Sequence, residues 1–185
     1  MFSYHTLSRD TFETKWRSRF EAQFRQQEDG LGARWLPDQV FAHKGTLLFS
    51  HPEPYYLRRC YHGLEQALHT LGEEAFVVVD REAITEEKPQ VGLLFRLSAS
   101  ARKTEDEGQY IIDRQPFEFY AFGRREDWGL VRSEPFNIGI LNAQGAALEA
   151  LRSAWQHTDE AAIAAYLEPT PAHYRRQFER NYVRA

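Results

Sequence analysis

Cysteine is almost missing from this chain. Cys60 stands alone, so no disulfide can form within it. Apolar runs are short. No uncharged stretch approaches the roughly 18 residues of a membrane span, and "MFSYHTLSRDTFETKW" has no apolar core of about 7–15 residues such as a signal peptide carries. The expectation is a cytoplasmic protein with no membrane association. A basic surplus is also missing. Residues 73–134 hold nine basic and fourteen acidic side chains, and the whole chain is at −4. Gripping a phosphate backbone requires the opposite balance, so nucleic-acid binding is not expected.

The familiar catalytic signatures are missing too. There is no G-x-S-x-G elbow, P-loop, G-x-G-x-x-G or H-E-x-x-H. A single cysteine cannot build a thiolate zinc site, and no two histidines have a recognised ligand spacing. Neither a cofactor nor a metal is expected.

What is present is the material of a packed core: 42% hydrophobic and 14% aromatic residues over 185 positions. A chain of that length buries roughly 70% of its unfolded surface. It reads as one domain over residues 1–185, with 158–185 separable as a helical appendage. Asp10 and Glu13 have the spacing of a capping box. Phe12, Trp16, Phe20 and Phe24 then recur every fourth residue, as on one face of a helix. "QVFAHKGTLLF" reads as two short strands turning at His43-Lys44-Gly45. A helix is predicted from Tyr55 to Leu71, stopped by Gly72, with Leu57, Cys60, Tyr61, Leu64, Leu68 and Leu71 in one stripe.

"AFVVVD" and "VGLLFRLSA" are continuous apolar runs suited to strands covered on both faces. "QYIID", "FEFYAF", "WGLVR" and "FNIGIL" follow without helices between them, which implies antiparallel pairing. Ala143–Gln156 and the segments after Thr158 and Pro171 read as helices. The expected fold is α+β: an antiparallel meander of about six strands with helices packed before and after it.

Few side chains offer chemistry. Arg58, His62, Glu65 and His69 share one helical face, but His62 and His69 are two turns apart, roughly 10 Å, too far to share one ion unaided. A solvated helix face explains the same spacing. Cys60 sits on the apolar stripe, where a thiol packs as a small hydrophobe. Asp80, Asp113 and Glu118 lie at strand ends without an evident partner set. The acidic pairs and triplets Glu73-Glu74, Glu86-Glu87 and Glu105-Asp106-Glu107 all fall in connections beside strands. Loops of one sign steer a cationic partner, and they also serve solubility.

In "FEFYAFGRREDWGLV" a hairpin loop is expected at Gly123 to Asp127, with Trp128 opening the returning strand. The order of strand, loop, "DWGLV", polar turn, apolar strand and closing helix resembles the C-terminal half of small cytoplasmic α+β immunity proteins of bacterial polymorphic-toxin systems. The resemblance covers residues 117–155, about a fifth of the chain, and rests on Trp128, Gly129 and that order of elements. The glycine expected near the last strand is Gly139 or Gly145. What the resemblance implies is a binder that blocks a toxin, with no catalytic residues to transfer. The function expected is non-enzymatic protein binding, with Glu105, Asp106, Glu107 and Asp127 pairing with a cationic toxin and Trp128 as a desolvated anchor. Two alternatives stand beside it. One is a hydrolase or transferase using His62, Glu65 or Asp80; the other is an accessory subunit of a phage or secretion assembly, docking through Phe12, Trp16, Tyr174 and Phe178.

Overall fold

The computed structural model describes residues 3–25, 40–50, 64–97, 118–133, 138–154, 163, 165 and 167–183. Its centre is a seven-stranded sheet in the order β1-β4-β3-β5-β6-β7-β2. The strands are β1 Ser3–Ser8, β2 Thr46–Ser50, β3 Ala75–Asp80, β4 Gln90–Arg96, β5 Phe119–Gly123, β6 Trp128–Ser133 and β7 Ile138–Ala143. Every neighbouring pair is antiparallel. The class is α+β, with one strand more than the expected six. Among the described strands, β5, β6 and β7 follow one another in both sequence and sheet order, as a meander does. β1 and β2 are the edges, contributed by the N-terminal part of the chain.

Both faces of the sheet are covered, which is why its central strands are apolar in nearly every position. On one face Phe12, Trp16, Phe20 and Phe24 meet Val77, Val79, Tyr120, Phe122, Val131 and Ile140, together with Ile163, Leu167, Phe178 and Tyr182. On the other, Leu64, Ala67 and Leu68, with Ala147 and Leu151, meet Phe76, Val78, Phe119, Ala121, Trp128, Leu130 and Leu141. The alternation is clean along β6: Trp128 and Leu130 belong to one core, Val131 to the other. The N-terminal aromatics interlock edge-on, for example Phe20 against Tyr120 at 5.0 Å and Trp16 against Phe122 at 6.0 Å.

The aromatic helix starts two residues earlier than its capping-box pattern suggests. Ser8, the last residue of β1, is the N-cap, and its hydroxyl accepts from the Thr11 N–H at 3.3 Å. Glu13 instead takes Arg17 at 2.8 Å, which holds its carboxyl below the ordinary 4.5. The helix also breaks at Trp16 into α1 (Arg9–Lys15) and α2 (Arg17–Gln23). The expected hairpin at His43-Lys44-Gly45 is replaced by two separate pairings: Phe41 bridges Phe24, and β2 joins β7.

The helix over residues 64–70 (α3) ends as its pattern predicts. Gly72 has φ +72°, the Glu73 N–H reaches Leu68 O at 2.9 Å, and the Gly72 N–H reaches His69 O at 3.1 Å. Further on come α4 (Arg81–Thr85) and α5 (Gly145–Ala154). The chain closes with α6 (Ala172–Phe178), which continues as a π turn over Glu179–Val183. Tyr182 ties this end to the core through its hydroxyl, which accepts from the Val40 N–H at 3.0 Å.

Tyr120 supplies an alkaline limit to stability. Burial pushes its phenol above the ordinary 10.0, against the opposing pull of the Arg81 guanidinium. The folded state therefore holds this proton more tightly than the unfolded chain does. That contribution is intact below about pH 10 and is lost as pH rises from there through the folded value. Denaturant titrations between about pH 9 and 11 should show the wild type losing up to about 1.4 kcal/mol per pH unit more than Tyr120→Phe. Parallel pH profiles for the two proteins would exclude this role for Tyr120.

Candidate functional site

The Gly123–Asp127 loop is built by long-range contacts. Glu73, in the turn after α3, is only 7% exposed and sends its carboxylate into the loop. Its Oε1 accepts from the Arg125 N–H at 2.9 Å and its Oε2 from the Arg124 N–H at 3.2 Å. The Trp128 indole N–H also points at Oε1, at 3.4 Å. A Cβ on Gly123 would come within 2.2 Å of Oε1, so the position must remain glycine for the carboxylate to enter. From the opposite side the Gln23 amide donates to Arg125 O at 3.0 Å. The Gln144 N–H donates to Asp127 O at 3.0 Å.

This architecture changes the standing of two expected contact residues. Trp128 is 1% exposed and lies in the core beneath the loop. Its ring is scaffold and cannot anchor a partner from that position. Asp127 is half-buried, and its carboxylate forks onto Arg125, with Nε at 3.0 Å and Nη2 at 2.5 Å. That hydrogen bonding raises the Arg125 pKa above its ordinary value. Asp127 therefore shapes the loop rather than projecting from it. Glu105, Asp106 and Glu107 lie outside the described residues.

Of the acidic pairs, Glu73-Glu74 divides: Glu73 is the loop clamp, and Glu74 is exposed with Arg124 at 3.0 Å. Glu86-Glu87 lies in the turn between α4 and β4. Lys88 bridges Glu82 at 2.9 Å and Glu86 at 3.2 Å, which raises the lysine pKa. Glu87 is exposed and adopts φ 55°. Its N–H reaches Ile84 O at 3.4 Å, and the Lys88 N–H reaches Ala83 O at 3.1 Å, so Glu87 occupies the left-handed closing position of α4, where glycine is normal. The start of α1 lies beside this turn, because Arg9 donates to Lys88 O at 2.9 Å and to Ala83 O at 2.6 Å. Exposed Asp10 is thereby brought to the same end of the molecule. Replacing Glu87 by glycine relieves the left-handed strain and should stabilise the fold by about 0.5–1 kcal/mol. A thermal melt checks this; a lower Tm for Glu87→Gly would mean the carboxylate itself holds the turn.

The residues considered for catalysis are dispersed. Glu65 is half-buried and His69 exposed on α3, while Arg58, His62, Cys60 and Asp113 fall outside the described residues. Asp80 is the N-cap of α4, its carboxylate accepting from the Ala83 N–H at 3.2 Å. Glu118 lies 4.0 Å from the buried Arg81. Of the aromatics considered for docking as an assembly subunit, Phe12, Trp16 and Phe178 are buried in the core and Tyr174 is half-buried. Among the described residues no group of three or more His, Cys, Asp or Glu side chains is arranged to hold a metal, and no helix is long and apolar enough to cross a membrane.

No family model matches the chain, and neither a curated protein nor a solved structure matches it significantly.

Proposed function

We propose that the chain is a non-enzymatic protein-binding module, and specifically a toxin-neutralising immunity protein acting on a cationic toxin domain through acidic loops. The carrying observation is the α4–β4 turn. There Glu82, Glu86 and Glu87 are all exposed, Lys88 is engaged with Glu82 and Glu86, and Glu87 has a left-handed backbone at φ 55°. The acidic excess of residues 73–134, fourteen acidic against nine basic, supports the same reading. Such a surface acts chiefly on the encounter rate, steering a basic partner into register before short-range contacts form. With Trp128 in the core and Asp127 committed to Arg125, contact falls to the exposed carboxylates of the turn and to Glu105, Asp106 and Glu107.

The test is genetic. The gene immediately upstream is expected to encode a large secreted protein with a variable C-terminal domain. Producing that domain alone in a host cell should stop growth, and co-producing this chain should restore it. A variant with lysine at positions 82, 86 and 87, together with lysine at 105–107, should fold but restore growth poorly. An upstream gene whose product is harmless, or full rescue by the reversed variant, would remove the proposal.

A further inference from the structure

The closing helix turns one side to the core and the other to solvent. Phe178 and Tyr182, four residues apart, are 0% and 3% exposed, and the Tyr182 hydroxyl accepts from the Val40 N–H at 3.0 Å. With those two rings fixed inward, His173, Arg176, Gln177 and Arg180 fall within about 100° of one another on the far side. His173, Arg176 and Arg180 are exposed. An open cleft of ≈ 570 Å³ lies against this face, lined by His173, Arg176, Gln177, Glu179 and Arg180. That volume falls in the range of small-ligand sites, about 300–1,000 Å³.

The charge of the cleft is one-sided. Arg175 is engaged within the protein: its Nη1 donates to Glu168 O at 3.1 Å, and its Nε lies 4.0 Å from the Glu179 carboxylate. Glu179, the one acid lining the cleft, is thus shared with an arginine outside it. Arginines elsewhere have partners of their own, as Arg9 has Ala83 O, Arg17 has Glu13, Arg124 has Glu74 and Arg125 has Asp127. Among the described residues no carboxylate pairs with Arg176 or Arg180. The two stand four residues apart, where like charges oppose helix formation. The helix dipole favours Arg176 in the last turn of α6, but it gives no reason for His173 in the first.

Two guanidinium groups and an imidazole on one wall suit an oxyanion that concentrates more than one charge. A guanidinium fork grips phosphate through two parallel N–H···O bonds. Side chains at this spacing start about 5–6 Å apart, close enough for both forks to reach one group. A phosphate ester carries about −1.5 to −2 at neutral pH and so answers both arginines, whereas a single carboxylate answers one. We infer that the α6 cleft binds a small phosphate ester or diphosphate, gripped by Arg176 and Arg180, with His173 as a third donor. This ligand is opposite in sign to the partner proposed for the acidic turn, so the two readings stand or fall independently.

Pyrophosphate is the probe. Titrated into isotope-labelled wild-type protein at constant ionic strength, it should shift the NMR signals of residues 173–180 and leave those of α4 in place. At ten times its dissociation constant it should multiply the folding constant by about 11. Joint replacement Arg176→Gln and Arg180→Gln alters only exposed positions, so the fold should persist while affinity falls at least about tenfold. Arg152→Gln removes an exposed arginine of α5 and should bind pyrophosphate as the wild type does. Unmoved signals up to about 10 mM pyrophosphate, equal affinity in the double variant, or an equal loss in Arg152→Gln would overturn the proposal. So would binding of single-stranded DNA without binding of pyrophosphate, which would mark a nucleic-acid surface instead.

Discussion

Trp128→Ala should cost about 3–5 kcal/mol, the range for emptying the site of a large buried aromatic. Its ring is among the largest fully buried side chains of the protein and packs with Leu130, Leu141 and Ala143. The substitution also removes the indole N–H facing Glu73, leaving a buried carboxylate with fewer donors. For a chain of this size the loss corresponds to a fall in Tm of roughly 6–20 °C. That is a large part of the whole stability of a typical domain. Trp128→Phe keeps most of the apolar ring and loses the N–H, so its effect should be clearly smaller. Equilibrium urea unfolding of the three proteins decides the matter. A Trp128→Ala protein within about 1 kcal/mol of wild type would mean that the ring does not support the sheet.

Glu73→Ala should be the second largest effect, about 3 kcal/mol. The carboxylate is buried and receives the N–H groups of Arg124 and Arg125. Removing it strands two backbone donors and opens a void beneath Gly123. Glu73→Gln separates charge from shape. One amide oxygen can still accept, but the NH₂ group must then face a backbone N–H, so an intermediate loss is expected. Hydrogen exchange adds a local readout: the amides of Arg124 and Arg125 should exchange faster in Glu73→Ala even under conditions where the protein is folded. If their protection were unchanged, the loop would be held by the Gln23 and Gln144 contacts alone.

Both effects come from positions whose role depends on distant partners, and that marks how far the sequence could be read. β3, β4, β5, β6 and β7 were legible because strands covered on both faces have apolar runs, and each of those runs became a strand; "QYIID", also read as a strand, lies outside the described residues. The aromatic spacing from Phe12 to Phe24 held as a buried face, although Trp16 breaks the helix that carries it. β1 was not legible. As an edge strand with His5 and Thr6 exposed and Leu7 buried, "SYHTLS" has almost no hydrophobic signature, and missing it moved the helix start from Ser8 to Asp10.

Glu73 was illegible for a different reason. Beside Glu74 it has the look of a surface pair, and only the hairpin fifty residues later gives it donors. The signal that could have been weighed is Gly123 immediately before two arginines, a place where the backbone must admit another group. Trp128 was placed correctly at the start of a strand, but its face depends on a register that one residue reverses. Glu87, by contrast, was singled out for its charge alone. Its left-handed backbone follows from the six-residue closure of α4, which charge patterning does not report.

We propose that acidic loops steer a cationic partner, and the most direct test is the association rate with the toxin domain proposed as that partner, measured by stopped flow across salt concentrations for the wild type and for the lysine variant at 82, 86 and 87. The expected wild-type rate falls steeply as salt rises, because the Debye length shrinks from about 30 Å at 0.01 M to about 8 Å at 0.15 M. The variant should associate at least about tenfold more slowly at low salt, with the two rates converging at high salt. Equal rates for the two proteins at every salt concentration would contradict the account and take the α4–β4 turn out of the interface.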